Sequence, residues 1–379
     1  MDIKAKRPAD RLRTPLTDLL DIDVPIVQSG MGRVAGPELA AEVSRAGGLG
    51  ILAGLRLGAD EIRRDIRRLR ELTDRPFGVN LWLHPDLQPP LDPASLPDEQ
   101  VRAAQGELNR FRERLDLPPT LDRPKAMPDV LEETFEAILE ERVPVWSIGL
   151  GDPGPERVRR CHEQGIRVMA MAATVADAQA LAASGVDLIV AQGAEAGGHR
   201  STWVKGQPPE SAQVGTLALV PQVVDAVDVP VIAAGGIADG RGLVAAFALG
   251  AAGILLGTRF VATRESKAPA FWKRALLEKE SGDTAITTVF SGLPARGLKN
   301  AFLAEYTASG APVLPSLLQS NAAQDIYTEA VVRGDGDLFP MLSGQSLGLI
   351  KDLPGAGEVV ASLVREARAA MAKLPDGLW

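Results

Sequence analysis

Between Pro25 and Phe260 short apolar runs alternate with longer segments in which apolar residues recur every three or four positions. The short runs read as buried parallel strands and the longer ones as amphipathic helices that cover them. The pattern predicts eight strands, at residues 26–28, 49–53, 77–83, 143–148, 167–172, 188–192, 231–234 and 253–256. Helices are expected at 37–46, 60–72, 129–141, 155–164, 174–184, 217–227 and 241–249. In the second of these Ile62, Ile66, Leu69 and Leu72 share one face and charges take the other, as an outer helix of a layered fold requires. Asp60 and Thr174 are expected N-caps, and Gly47, Gly165, Gly185 and Gly250 expected stops.

Eight strands with crossover helices predict an α/β fold of the (β/α)8 TIM-barrel type, with the active site at the carboxyl ends of the strands. An open doubly wound sheet is the rival arrangement. Residues 84–127, rich in proline with one helical piece near 99–114, follow the third strand and are too long for an ordinary βα loop. They are expected to form a lid or cover at the active end. The strand–helix alternation stops after Phe260, so the chain divides into a barrel at 1–263 and a mainly helical extension at 264–379 that packs on it. Helices in the extension are expected near 268–280, 321–333 and 358–373.

Composition narrows the partners. With 45% hydrophobic and 24% charged residues over 379 positions, a large core can be buried. A formal charge of −8 gives no basic surface for nucleic acid or an anionic membrane, so small-molecule partners are favoured. The lone Cys161 excludes an internal disulfide and suits a reducing compartment. The basic start lacks the apolar run of a signal peptide, and a cytoplasmic location is expected. A homodimer is left open. The three histidines are widely spaced, which gives no metal pattern, and no G-x-S-x-G elbow is present.

Candidate chemistry gathers at the ends of three predicted strands. After the sixth, VAQGAEAGGHR places Gln192, Gly197, Gly198 and His199 in a polar loop, where the glycines let a flat ligand approach the backbone beside an imidazole suited to proton transfer. On these residues alone His199 serves equally well as a hydrogen-bonded loop histidine. After the seventh, AAGGIADG carries Gly235 and Gly236 into a helix, and after the eighth come Leu255, Leu256, Gly257 and Thr258. Loops after strands seven and eight of such barrels, with a helix N-terminus, commonly bind phosphate. Together these parts suggest a planar cofactor bearing a phosphate, such as flavin mononucleotide (FMN), and the G-x-G-x-x-G of a dinucleotide fold is missing. Gln28, Met31, Asn80 and Gln192 are uncharged groups at the active end that suit the edge of a flavin ring. Glu195 is a weaker candidate to orient His199; His84 and His162 are weaker still.

The motifs PIVQSGM and AGGLGIL, then DRPFGVN, AQGAEAGGHR, PVIAAGGIADGRG and GAAGILLGTRF, taken in order, resemble those of the nitronate monooxygenases, formerly 2-nitropropane dioxygenases. The resemblance spans most of the chain and implies a barrel oxidoreductase that holds FMN noncovalently. On matching positions it implies that Asn80, Gln192, Gly197, Gly236 and residues 255–258 hold FMN and that His199 is the catalytic base. The implied reaction oxidises an alkyl nitronate, or a nitroalkane deprotonated by His199, with O2 through a flavin semiquinone to a carbonyl compound and nitrite. Ser29-Gly30 stands before Met31 where many members carry proline, and residues 84–127 are longer than expected; both features bear on the substrate. Related flavin barrels share the glycine-histidine loop, so an NAD(P)H-dependent FMN reductase of an enoyl thioester or quinone is the alternative. A flavin- or phosphate-binding protein without turnover is a third.

Overall fold

The computed structural model describes residues 12–204 and 209–374, so the basic residues 1–11 and the last five of the chain lie outside it. The eight expected strands form one parallel sheet: β1 (Ile26–Gln28), β2 (Gly50–Ala53), β3 (Phe77–Leu83), β4 (Val145–Gly151), β5 (Arg167–Ala172), β6 (Leu188–Gln192), β8 (Val231–Ala234) and β9 (Gly253–Leu256). A two-residue strand, β7 (Gly198–His199), interrupts the series. The order β1-β9-β8-β6-β5-β4-β3-β2 is closed by a parallel bridge between Val27 and Leu49, which makes a (β/α)8 barrel. The fourth strand begins later than expected because Pro144 has no N–H for the ladder, and it runs on to Gly151.

Alternate residues divide between two cores. Met169 and Met171, Leu188 and Val190, and Ile232 and Ala234 fill the barrel, and a helix that the pattern did not reveal, Pro15–Leu20, plugs its lower end with Leu16 and Leu20. Their neighbours Val168, Ala170, Ile189, Ala191, Val231 and Ala233 face the helical ring. Thr174 caps its helix by accepting from the Asp177 amide. Asp60 does not cap: the helix starts at Ala59, Gly58 takes the N-cap, and Glu61 accepts the Gly58 N–H at 3.2 Å. Gly47, Gly165, Gly185 and Gly250 all have positive φ, as left-handed helix ends need.

The extension brings one helix that was expected, near 358–373, and a sheet that its pattern did not reveal. Its last helix, Ala356–Met371, packs on the barrel helices Pro37–Arg45 and Gly240–Ala248 and buries Val359, Val360 and Leu363 in the barrel's own outer core. At roughly 1.5–3 kcal/mol per buried aliphatic side chain, this contact belongs to the barrel's stability. The extension also contains strands β10 (Thr284–Thr287) and β11 (Ala295–Leu298), which pair antiparallel with β7 in the order β10-β11-β7. This sheet places Ala295 opposite His199.

The expected helix of the 84–127 segment is Asp98–Arg114. Its Val101, Leu108 and Phe111 share a second core with Phe290, Phe302, Tyr306 and Tyr327 of the extension. Arg112, buried on that helix, joins the two by donating to Asp325 at 2.7 Å and to the Ala322 carbonyl at 2.6 Å. Insertion and extension therefore share one hydrophobic core. Among the described residues no helix is long and apolar enough to cross a membrane.

Candidate active site

Two of the cavities at the carboxyl ends of the barrel strands hold most of the candidate residues. The smaller, about 50 Å³, is lined by Gln192, Gly197, Gly235, Gly236, Leu255, Leu256, Gly257 and Thr258 together with Ser29, Met171, Gly344 and Ser346. Gly235 and Gly236 turn the chain after β8 with φ of 102° and 73°, conformations that a side chain would strain. The amides of Gly236 and Ile237 find no acceptor among the described residues. The following helix does not offer its N-terminus: Asp239 already caps it, accepting from the Arg241 amide at 3.0 Å. The short helix after β9, Thr258–Val261, has no side-chain cap at Gly257, and Gly257 and Thr258 line the pocket, so the open helix start lies after β9 and not after β8.

Gly197 is glycine for a different reason from the one its sequence suggested. A Cβ there would lie 2.5 Å from the Gly344 nitrogen of the extension, so the extension crosses the barrel loop at this point. The same loop is tied down by Gly344 N–H donating to Thr258 Oγ1 at 2.9 Å and by Gln345 N–H donating to the Glu195 carbonyl at 2.9 Å. Gly198 has φ of 82° and open space where a Cβ would stand. Met31 reaches the same region, its sulfur 3.5 Å from the Cβ position of Gly257.

The larger cavity, about 190 Å³, adjoins these loops and contains Asn80 and His199 among aromatic walls from Trp82, Trp272, Phe290, Tyr327 and Phe339. Asn80, on the cavity wall, donates to Ser147 Oγ at 3.1 Å. The His199 ring meets Trp82 edge to face at 4.7 Å, and its Nε2 lies 2.7 Å from Ser291 Oγ. Gln192 holds the histidine backbone, donating to the His199 carbonyl at 2.9 Å and accepting from the Ser201 amide at 3.0 Å. Arg200 fixes the same loop by donating to the carbonyls of Gln192 and Gly193 at 2.8 and 3.0 Å.

Burial, reinforced by the positive charge of Arg56 and by His84, pushes the His199 pKa down to about 4. The imidazole is therefore neutral at pH 7 and has a lone pair to offer. Two proton arrangements satisfy the Ser291 contact: Ser291 donates to Nε2, or Nε2–H donates to Ser291 while the hydroxyl turns to the Leu293 carbonyl at 3.3 Å. Either way Ser291 engages Nε2 and fixes the plane of the ring.

Of the remaining candidates, Gln28, Glu195, His162 and His84 line neither cavity; His84 accepts from the Asp86 amide at 3.2 Å. Gln28 is fully buried in the seam between β1 and β2, its amide donating to the Ile51 carbonyl and accepting from the Ile51 N–H, both at 3.1 Å. It closes the barrel and has no group left for a ring edge, which corrects that expectation. Glu195 faces away from His199 and accepts from Thr216 N–H and Oγ1 at 2.8 and 2.9 Å, capping the helix Thr216–Ala226. His162 pairs with Asp187 on the outer surface at 2.9 Å.

The family model described as nitronate monooxygenase matches residues 13–366. The chain belongs to the nitronate monooxygenase family. A nitronate monooxygenase from Pseudomonas aeruginosa is 40% identical over 357 residues, covering 93% of this chain and 98% of that one. A probable nitronate monooxygenase from Staphylococcus saprophyticus is 33% identical over 95% of this chain and 99% of its own. Among solved structures, a nitroalkane oxidase from Streptomyces ansochromogenes superposes with a TM-score of 0.86 at 37% identity, over 96% of this chain and all of that one. FabK from Thermotoga maritima superposes with a TM-score of 0.74 at 32% identity, over 96% and 98%. The chain is thus an oxidoreductase of this family.

Several residues that line the larger cavity escaped the sequence reading. Ser291, Trp272 and Tyr327 come from the extension, and no local pattern marks a side chain that reaches its site across the fold. Arg33 and Arg56 were within reach of it, because each follows a barrel strand at the carboxyl end.

Proposed function

We propose that this chain is an FMN-dependent nitronate monooxygenase that converts alkyl nitronates and O2 to carbonyl compounds and nitrite, with His199 as the base that also admits nitroalkanes. The observation that carries this reading is the junction of the two cavities: a glycine-lined pocket with unused loop amides beside an aromatic chamber holding a neutral imidazole. The residues fit the cofactor. In a pocket of about 50 Å³, side chains at Gly235, Gly236 or Gly257 would take the room that a phosphate needs. The amides of Gly236 and Ile237 with Thr258 would hold the phosphate, and Asn80 and Gln192 would meet the flavin. FMN supplies the one-electron acceptor and oxygen-reactive centre that nitronate oxidation needs.

The protein's own groups do the rest. The aromatic walls strip water from the substrate, which strengthens every charge interaction inside. With Nε2–H donating to Ser291, His199 on the strand paired with β11 takes the α-proton of a neutral nitroalkane onto Nδ1, the nitrogen that this tautomer leaves unprotonated. A preformed nitronate needs no such transfer. The test is oxygen uptake and nitrite release by the purified protein with ethyl nitronate, expected in parallel. Turnover of NADH or NADPH with a quinone, and none with nitronate, would replace this reading by the reductase alternative.

A further inference from the structure

The rim of the larger cavity carries two arginines in the same unusual setting. After β1, Met31 to Val34 form a turn closed by Val34 N–H donating to the Met31 carbonyl at 3.1 Å, and Arg33 sits third in it with φ of 62°. After β2, Gly54 to Leu57 form the equivalent turn, closed at 3.0 Å, and Arg56 sits third with φ of 73°. That left-handed position normally takes glycine or asparagine, and another residue there costs roughly 1–2 kcal/mol. Two successive loops bear this cost and each brings a guanidinium to one cavity.

Neither charge is neutralised by a carboxylate among the described residues. Arg56, on the cavity wall, donates through Nη1 to Asn321 Oδ1 at 2.8 Å and through Nη2 to Ser320 Oγ at 3.1 Å, both uncharged. Arg33, more exposed at the rim, is held by Gln324 Oε1. Neither forms an ion pair with a carboxylate among the described residues, and each loses hydration to its surroundings. Two like charges placed together without a counter-ion destabilise the empty chamber and favour an anion inside it.

We propose that Arg56, backed by Arg33, is the recognition group for the substrate's anionic end, so that the chamber selects small planar oxyanions of the R–XO2⁻ type, nitronates and isosteric carboxylates, over neutral molecules of the same shape. The inference rests on the function proposed above for the identity of the substrate, and on the arginine geometry alone for the charge it must carry. A planar guanidinium, already held from one side by Asn321 and Ser320, presents its remaining edge to two oxygens that share one charge.

The experiment compares isobutyrate with isobutyramide, two ligands of one shape that differ in charge, by ligand-observed NMR titration of the protein as purified. The carboxylate is expected to bind at least tenfold more tightly than the amide. Arg56→Met is expected to remove that preference and leave amide binding unchanged, and Arg33→Met to weaken it about threefold. Arg56→Lys, which keeps the charge without the fork, is expected to retain part of the preference, and it stands in should Arg56→Met fail to fold by circular dichroism. Equal affinity for the two ligands, no binding of either, or a preference untouched in both Arg56 variants would overturn the proposal. Because the readout involves neither turnover nor cofactor, an arginine-dependent preference in a protein inactive on nitronates would reject the assigned reaction while leaving this inference standing.

Discussion

The glycine-lined pocket and the aromatic chamber are neighbours built by different means. The pocket is made of barrel loops whose chemistry lies in the backbone, at Gly235, Gly236 and Gly257, with only Gly344 and Ser346 added from outside. The chamber is walled by side chains from strand ends, from β7 and from a long stretch of the extension, Trp272 to Leu342. A backbone site can be altered only by filling it, whereas a side-chain site can be altered one group at a time. On the proposed function the first region would hold the cofactor and the second would set this chain's substrate preference.

Substitutions can separate the two regions. Gly236→Val, which strains a φ of 73° and fills the pocket, is expected to yield protein almost free of flavin by its visible spectrum; full occupancy would place the phosphate elsewhere. His199→Asn acts in the chamber only. It is expected to keep its flavin and lose roughly 10²–10⁴-fold in kcat/KM on neutral nitroethane, with a much smaller loss on ethyl nitronate. Equal losses on both substrates would remove the base role.

A third change tests the link between substrate charge and base. Since Arg56 is one of the groups that depress His199, Arg56→Met is expected to raise the imidazole pKa from about 4 toward its ordinary value. The acidic limb of the nitroethane kcat/KM profile would then move to higher pH, and an unmoved limb would show that the two groups do not sense each other. The smallest effect belongs to neither cavity. Glu195→Ala removes the cap of the helix Thr216–Ala226 and is expected to cost about 1 kcal/mol in denaturant unfolding while leaving the nitroethane pH profile in place.

How much of this was legible beforehand follows the same division. Parallel strands buried on both faces announce themselves as short apolar runs, and the turns after β6, β8 and β9 are spelled in glycine, so the barrel and the pocket could be read locally. Gln28 misled because a buried amide that satisfies a barrel seam looks in sequence like one that faces a ligand. Glu195 misled in the same way, being four residues from His199 and turned to another helix. The chamber was largely hidden, since Ser291 meets His199 across 92 positions of chain through strands β10 and β11, which a helical reading of the extension passed over. Arg33 and Arg56 carry their signal in backbone angles, and these appear only in the fold.

The central claim, that one site joins a flavin to a nitronate, is tested most directly by anaerobic absorbance titration of the purified protein, with ethyl nitronate in one cell and NADH or NADPH in another. The account predicts a flavin spectrum at the outset that nitronate reduces and the pyridine nucleotides leave unchanged. A protein without flavin absorbance, or a flavin bleached rapidly by NADH or NADPH and indifferent to nitronate, would contradict it.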